Sequence, residues 1–277
     1  MKKKQDNFIY KNFKSGLKYI KESKNYVWFS VYLFIFFILL GYILPVFFRE
    51  QILKYIEALI KQTDGLNVFE LIGFIINNNI WSAFSGLVFG ILLGIIPLSV
   101  IIVNGYVLGF VANKVVAVEG VSSLWRLLPH GIFEIPAIII SVGLGLKLGG
   151  YWFYSKEKAK GFLAALVFFV CFIFSFMVLS LIISLFAGTS NPVALQNFYQ
   201  EIMKNSLIVL LIFSICFAFI FISSYVSMKV FSKKERIYIM DSLKSNIKNS
   251  FRTFVFIIIP LLVIAGIIEG VLIWALG

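Results

Sequence analysis

Apolar residues run along this chain in long unbroken blocks, and nearly all charged residues fall between them. The blocks are Val27–Phe48, Ile80–Val103, Gly105–Val118, Pro129–Gly149, Phe162–Ala187, Leu207–Val230 and Phe254–Leu276. A helix needs about 20 apolar residues to cross the hydrocarbon core of a bilayer. All but the third block reach that length. Gly105–Val118 is short, so on length alone it either spans or re-enters. The pattern predicts an all-α, polytopic helical membrane protein of about seven transmembrane helices, the third short or re-entrant. The first block is too long for the core of a cleaved signal, and no small-residue cleavage site follows it, so it reads as a retained span.

Two stretches outside these blocks are amphipathic. Within residues 1–26, Tyr10, Phe13, Leu17 and Ile20 recur at helical spacing beside Lys11, Lys14, Lys18 and Lys21. Within about 233–252, Met240, Leu243, Ile247 and Phe251 recur beside Lys244, Lys248 and Arg252. Each reads as a basic helix lying in the membrane interface, with 27–277 forming a single transmembrane domain. Between the first two blocks, Leu53, Ile56 and Ile60 predict the apolar face of a solvated helix. Asn191-Pro192 marks a turn in the loop Gly188–Ser206.

Charge gives the orientation. With seven crossings, one side holds the eight lysines before Val27, the four from Lys147 to Lys160 and the seven basic residues from Lys229 to Arg252. The other side holds Arg49, Lys54, Lys61, Arg126 and Lys204, and Lys114 lies inside the short block. The basic side is cytoplasmic by the positive-inside rule, which puts the N-terminus inside and the protein in the cytoplasmic membrane. If the third block did not cross, Lys156, Lys158 and Lys160 would fall on the wrong side. A net charge of +12 then reads as orientation signal plus attraction to anionic lipid, with no nucleic-acid motif beside it. Composition agrees, at 60% hydrophobic and 14% charged residues. Cys171 and Cys216 sit in apolar blocks and read as inert buried thiols.

Inside the blocks, Ser82, Gly86, Gly90 and Gly94 repeat at every fourth position, and Gly105 and Gly109 continue the spacing. Small residues so arranged let another backbone approach closely. Intramolecular packing, a homo-oligomer seam and a substrate path between loosely packed helices are the alternatives. Pro97 predicts a kink in the second span, and Asn104-Gly105 a cytoplasmic turn into the third.

The stretch Leu127–Ala137, LLPHGIFEIPA, carries the chain's one histidine. Pro129 suits the first turn of a helix, and His130 and Glu134 are then four apart on one face. Pro136 predicts a local break that frees a carbonyl. A second glutamate, Glu269, lies in the last block. Ionisable groups inside spans are costly and persist when paired, neutralised or used. One reading is a polar clasp in which His130, Glu134 and Glu269 bond across helices with Asn104 or Arg126. The others are a proton or ion relay, and a site for a substrate or partner headgroup. One histidine and two carboxylates make an incomplete metal set, and no nucleophile–base or phosphate-cradling motif appears, so neither cofactor nor catalysis is expected. A closed cluster packed on small residues would fit the clasp. A water-accessible cavity reaching Glu134 would fit transport.

Four stretches carry a resemblance: Asn77–Ile95 (NNNIWSAFSGLVFGILLGI), Asn104–Gly109 (NGYVLG), LLPHGIFEIPA and Ile259–Ile273 (IPLLVIAGIIEGVLI). In this order they resemble the stage II sporulation protein M family, over roughly residues 10–150 and 250–277. Gly150–Arg252 matches less well and has room for an additional span. Pro129, His130, Gly131 and Glu134 form the most specific block. The resemblance implies a membrane component that works with cell-wall hydrolases during engulfment in spore formers. More generally it implies a non-enzymatic scaffold or assembly partner for another protein. The alternative function is a transporter or ion/proton channel using the His130, Glu134 and Glu269 cluster.

Overall fold

A computed structural model describes residues 8–46, 48–91, 94–187 and 206–276; the side chains of 125–130, 176, 178–187, 206–213, 217 and 276 lie outside that description. The described residues form helices and no strand. In chain order they are α1 (Phe8–Glu22), α2 (Lys24–Ile43), α3 (Arg49–Thr63), α4 (Val68–Val88), α5 (Ile95–Glu119), α6 (Leu128–Gly149), α7 (Lys158–Ala187), α8 (Ser206–Met228), α9 (Lys233–Thr253) and α10 (Ile259–Leu276). Among the described residues six helical runs are long and apolar enough to cross a membrane: Lys24–Ile43, Val68–Ile91, Ile95–Glu119, Gly131–Gly149, Lys158–Ser175 and Lys233–Ala275. The expected Leu207–Val230 span corresponds to α8, whose described apolar part, Ser214–Met228, is shorter. The chain is a polytopic helical membrane protein.

The expected boundaries of the second and third spans are corrected. Asn67 caps α4: its Oδ1 accepts from Phe69 N and Glu70 N at 3.0 and 3.1 Å, and Glu70 Oε2 accepts from Asn67 N at 3.0 Å. This reciprocal box starts the helix at Val68, well before Ile80. The chain turns at Gly94, whose φ of 72° suits a residue without Cβ, and not at Asn104-Gly105. Asn104 lies inside α5, with its Nδ2 donating to Val100 O at 2.8 Å. Pro97 makes no kink in a span. It sits in the first turn of α5, where a missing N–H costs nothing. At 25 residues α5 is about 37 Å long, enough to cross a hydrocarbon core, whereas the 14-residue block alone was not. Nor does Pro136 break its helix, since α6 continues through it.

By its contacts the chain divides into two units, the first running to Tyr151 and resuming at Leu243, the second Trp152–Ser242. In the first, glycines set the helix spacing. A Cβ on Gly90 would meet the backbone of Gly145, one on Gly145 the carbonyl of Gly86, and one on Gly149 the carbonyl of Gly90. Ser141 Oγ adds a hydrogen bond to Ala83 O at 2.5 Å, so α4 and α6 run side by side as a close pair. Gly94 meets Leu146. Gly105 and Gly109 face α2 at Phe34 and Ile38, and Gly266 and Gly270 face Ile76 and Ile72 of α4. A five-residue π-helical segment, Phe254–Ile258, precedes α10 and Pro260.

Helix α1 presents Tyr10, Phe13 and Leu17 outward and buries Gly16 and Tyr19 against the 243–258 stretch. Tyr19 Oη donates to Asn246 Oδ1 at 2.9 Å, and Arg252 Nη1 donates to Ser15 Oγ at 2.7 Å. The expected outward stripe of α9 is split, because Leu243 is buried while Phe251 packs edge-on against Phe84. On α3 the buried residue is Ile52, while Leu53 and Ile60 are exposed.

In the second unit α7 packs on α8. Trp152 Nε1 donates to Ser227 Oγ at 3.1 Å, and the Trp152 ring lies 5.0 Å from that of Phe168. Glu235 accepts from Ser232 N at 2.8 Å and pairs with Lys160 at 3.6 Å, which caps α9. The Asn191-Pro192 turn lies outside the described residues.

Candidate functional site: a polar cavity within the bundle

The site grows out of the α4–α5 hairpin. At its tight end Gly86 lies against the Val100 side chain. Beyond that contact the space between α4, α5 and α6 is a cavity of about 850 Å³, with α2, α3 and α10 contributing to its walls. Its apolar lining includes Phe34, Ile38, Val103, Leu108 and Ile138. Its polar lining comes from Glu134 of α6, Glu269 of α10, Asn78, Asn79 and Ser82 of α4, and Ser99 and Asn104 of α5.

The packing contacts fix relative depths. Helix α6 runs parallel to α4 with Ser141 at Ala83, which puts Glu134 level with Ile76. Helix α10 runs antiparallel, Gly266 at Ile76 and Gly270 at Ile72, which puts Glu269 level with Gly73. Helix α5 is also antiparallel, Val100 at Gly86, which puts Asn104 level with Ser82 and Ser99 near Leu87. From Glu269 to Ser99 the polar groups extend over about 21 Å of helix rise, with no step longer than about 8 Å. That covers most of a hydrocarbon core about 30 Å thick.

Sequence spacing joins His130 to Glu134, and the structure brings Glu134 and Glu269 within electrostatic reach on one cavity. Asn104 lines the same cavity, about 9 Å of helix rise deeper than Glu134. His130 sits in the first turn of α6, four residues before Glu134, and Pro129 is the second residue of that helix. The side chains of His130, Pro129 and Arg126 lie outside the described residues. Ser82 lines the cavity, whereas Gly86, Gly90, Gly94, Gly105 and Gly109 serve helix contacts.

Hydrogen bonding leaves the lining receptive. Asn104 and Ser99 donate to carbonyls of their own helix, at Val100 and Ile95, so their oxygens remain as acceptors. Asn79 is only 9% exposed, yet its carboxamide has no hydrogen-bond partner among the described residues. Among the described residues no three of His, Cys, Asp and Glu gather as a metal set.

Asn78, Asn79 and Ser99 were not singled out from the sequence. The run Asn77–Asn79 resembles loop composition, and only the Asn67–Glu70 capping signal places it inside a helix.

The amino-acid sequence has relatives. A protein of Methanocaldococcus jannaschii described as uncharacterized is 35% identical over 95 residues, which cover 28% of this chain and 43% of the archaeal protein. The match thus spans less than half of that relative. No solved structure matches. The family model for stage II sporulation protein M matches residues 30–188, past the point at residue 150 where the resemblance was expected to weaken and short of the Glu269 block. Because that match covers more than half of the chain, from within α2 to the end of α7 and including the cavity walls of α3 to α6, this protein belongs to the stage II sporulation protein M family.

Proposed function

We propose that this protein is a non-enzymatic membrane protein that admits a small polar solute into its bundle and acts as a transporter or channel. The observation that carries the reading is the polar lining from Glu269 to Ser99, spread along the cavity depth instead of gathered in one closed knot. A clasp needs its groups in mutual contact, whereas a pathway needs them in steps. With the lysine-rich α1 on the cytoplasmic side, the carboxylate end of the cavity faces outward. Cysteines placed at Asn78, Ser82, Asn104 and Ser99, after Cys171 and Cys216 are replaced, test this directly. A membrane-impermeant maleimide should label Asn78→Cys and Ser82→Cys in intact cells. Absence of labelling at all four positions would rule out a hydrated cavity.

A second reading, a scaffold or assembly partner in the cytoplasmic membrane, rests on α1. Its inner face is braced on the 243–258 stretch while Phe8, Ile9, Tyr10 and Phe13 project outward. Such a helix suits anionic lipid and offers a protein partner, or a second copy, a fixed surface. Under this reading liposomes carrying the purified protein show no flux, and replacing the exposed Tyr10 and Phe13 by serine abolishes complex formation without lowering thermal stability.

A further inference from the structure

We infer that the seam between α1 and the end of α9 binds the headgroup phosphate of an anionic phospholipid, with the Arg252 guanidinium at its centre. The seam is separate from the cavity, and its ligand is independent of both functional readings above.

Arg252 is half-buried, and among the described residues it pairs with no carboxylate. Only Nη1 is engaged, donating to Ser15 Oγ at 2.7 Å and to Asn249 Oδ1 at 3.3 Å. Those two bonds hold the planar fork in one orientation and leave Nε and Nη2 to donate to an outside acceptor. Two such parallel donors match a pair of phosphate oxygens. The surrounding charge has the same sign. Lys11 and Lys18 lie about one turn to either side of Ser15 on α1, Lys248 lies one turn before Arg252 on α9, and all three are exposed. Glu22 offsets one of them through its 3.9 Å pair with Lys18, which leaves the seam positive.

Depth selects a lipid over a soluble anion. The rings of Phe251 and Phe254 stand 6.3 and 5.6 Å from that of Phe84. Arg252 is therefore level with Phe84 in the span Val68–Ile91, about 10 Å of helix rise inside its end. From there an arginine side chain reaches up to the phosphate plane, where a lipid headgroup meets it and a soluble acidic protein is held off. Helix α1 lies against this same level, because Gly16 is pressed on Thr253 and Ile257. Its other flank exposes Tyr10, Phe13 and Leu17, an apolar strip that a bilayer covers and free phosphate leaves wet. Basic pockets among membrane helices on the cytoplasmic side are suited to anionic headgroups.

The test titrates the full-length protein, in a neutral detergent, with phosphatidylglycerol, phosphatidylcholine, inorganic phosphate or an oligoglutamate peptide. Native mass spectrometry reads bound lipid, and thermal unfolding reads the shift in midpoint. Phosphatidylglycerol should bind and raise the midpoint, and the other three should not. Arg252→Gln should weaken phosphatidylglycerol about ten-fold or more, as loss of charge-assisted hydrogen bonds predicts. Arg252→Lys should recover only part of that loss, since it keeps the charge without the fork. Lys248→Gln, at an exposed position, should weaken the lipid about five-fold and leave the lipid-free midpoint unchanged. That variant decides the matter if Arg252→Gln does not fold. Phosphatidylglycerol binding unchanged in the folded variants, or an equal response to phosphatidylcholine, overturns the inference. An equal shift with inorganic phosphate or with oligoglutamate would assign the seam to a soluble anion and also overturn it.

Discussion

At the residue scale the glycines differ sharply in what surrounds them. Gly90 lies on Gly145 backbone, where an added Cβ would overlap the carbonyl, while Gly73 on the same helical run has nothing within 4 Å. Gly90→Val should therefore lower stability by about 1–3 kcal/mol, the usual cost of overpacking. Gly73→Ala should be neutral or stabilising by about 0.5–1 kcal/mol, because it restricts only the unfolded chain. Thermal unfolding in detergent compares them, and equal midpoints would refute the close α4–α6 pairing. Ser141→Ala removes the bond to Ala83 O and should cost about 0.6 kcal/mol, typical of interhelical hydrogen bonds in membranes.

At the scale of elements, α1 is joined to the bundle through Tyr19. Its hydroxyl donates to Asn246 and accepts from Ser250, and Lys147 Nζ lies 4.2 Å from its ring centre. Burial pushes the Tyr19 hydroxyl up to about 12 from an ordinary 10.0. A raised pKa means that the folded state favours the neutral form. The contribution is therefore complete below about pH 10 and is lost as pH rises through about 12. Wild type should lose more thermal stability than Tyr19→Phe across that interval, and parallel profiles would show that the hydroxyl is not linked to folding. The helix boundaries teach a related lesson. Pro97 and Asn104-Gly105 carry strong breaker signals, yet position decides their effect: a proline in a first turn breaks nothing, and an asparagine bonded to its own helix makes no turn. The π segment before Pro260 adds a residue to one turn and so sets the rotation of α10. That rotation places Gly266 and Gly270 on α4 and Glu269 on the cavity.

At the scale of the whole molecule, the charge pattern makes a prediction of its own. A protease site added at the N-terminus should be cut in inside-out vesicles and protected in right-side-out ones. The reverse result would place the carboxylate end of the cavity on the cytoplasmic side. Much of the architecture was legible beforehand because membrane insertion is governed by apolar length and flanking charge, both linear properties. The all-helical membrane class, the block carrying Glu134 and the family resemblance came from the chain alone, as did the suspicion attached to Glu134 and Glu269. Whether those two glutamates share a surface was not legible, because they are far apart in sequence and their meeting depends on glycine contacts and on the rotation of α10. Asn79 was hidden for a similar reason: only its burial on α4 distinguishes it from its two neighbours. Hydrophobic pattern thus determined what enters the bilayer. Packing geometry, which no local pattern encodes, decided which polar groups face one another inside it.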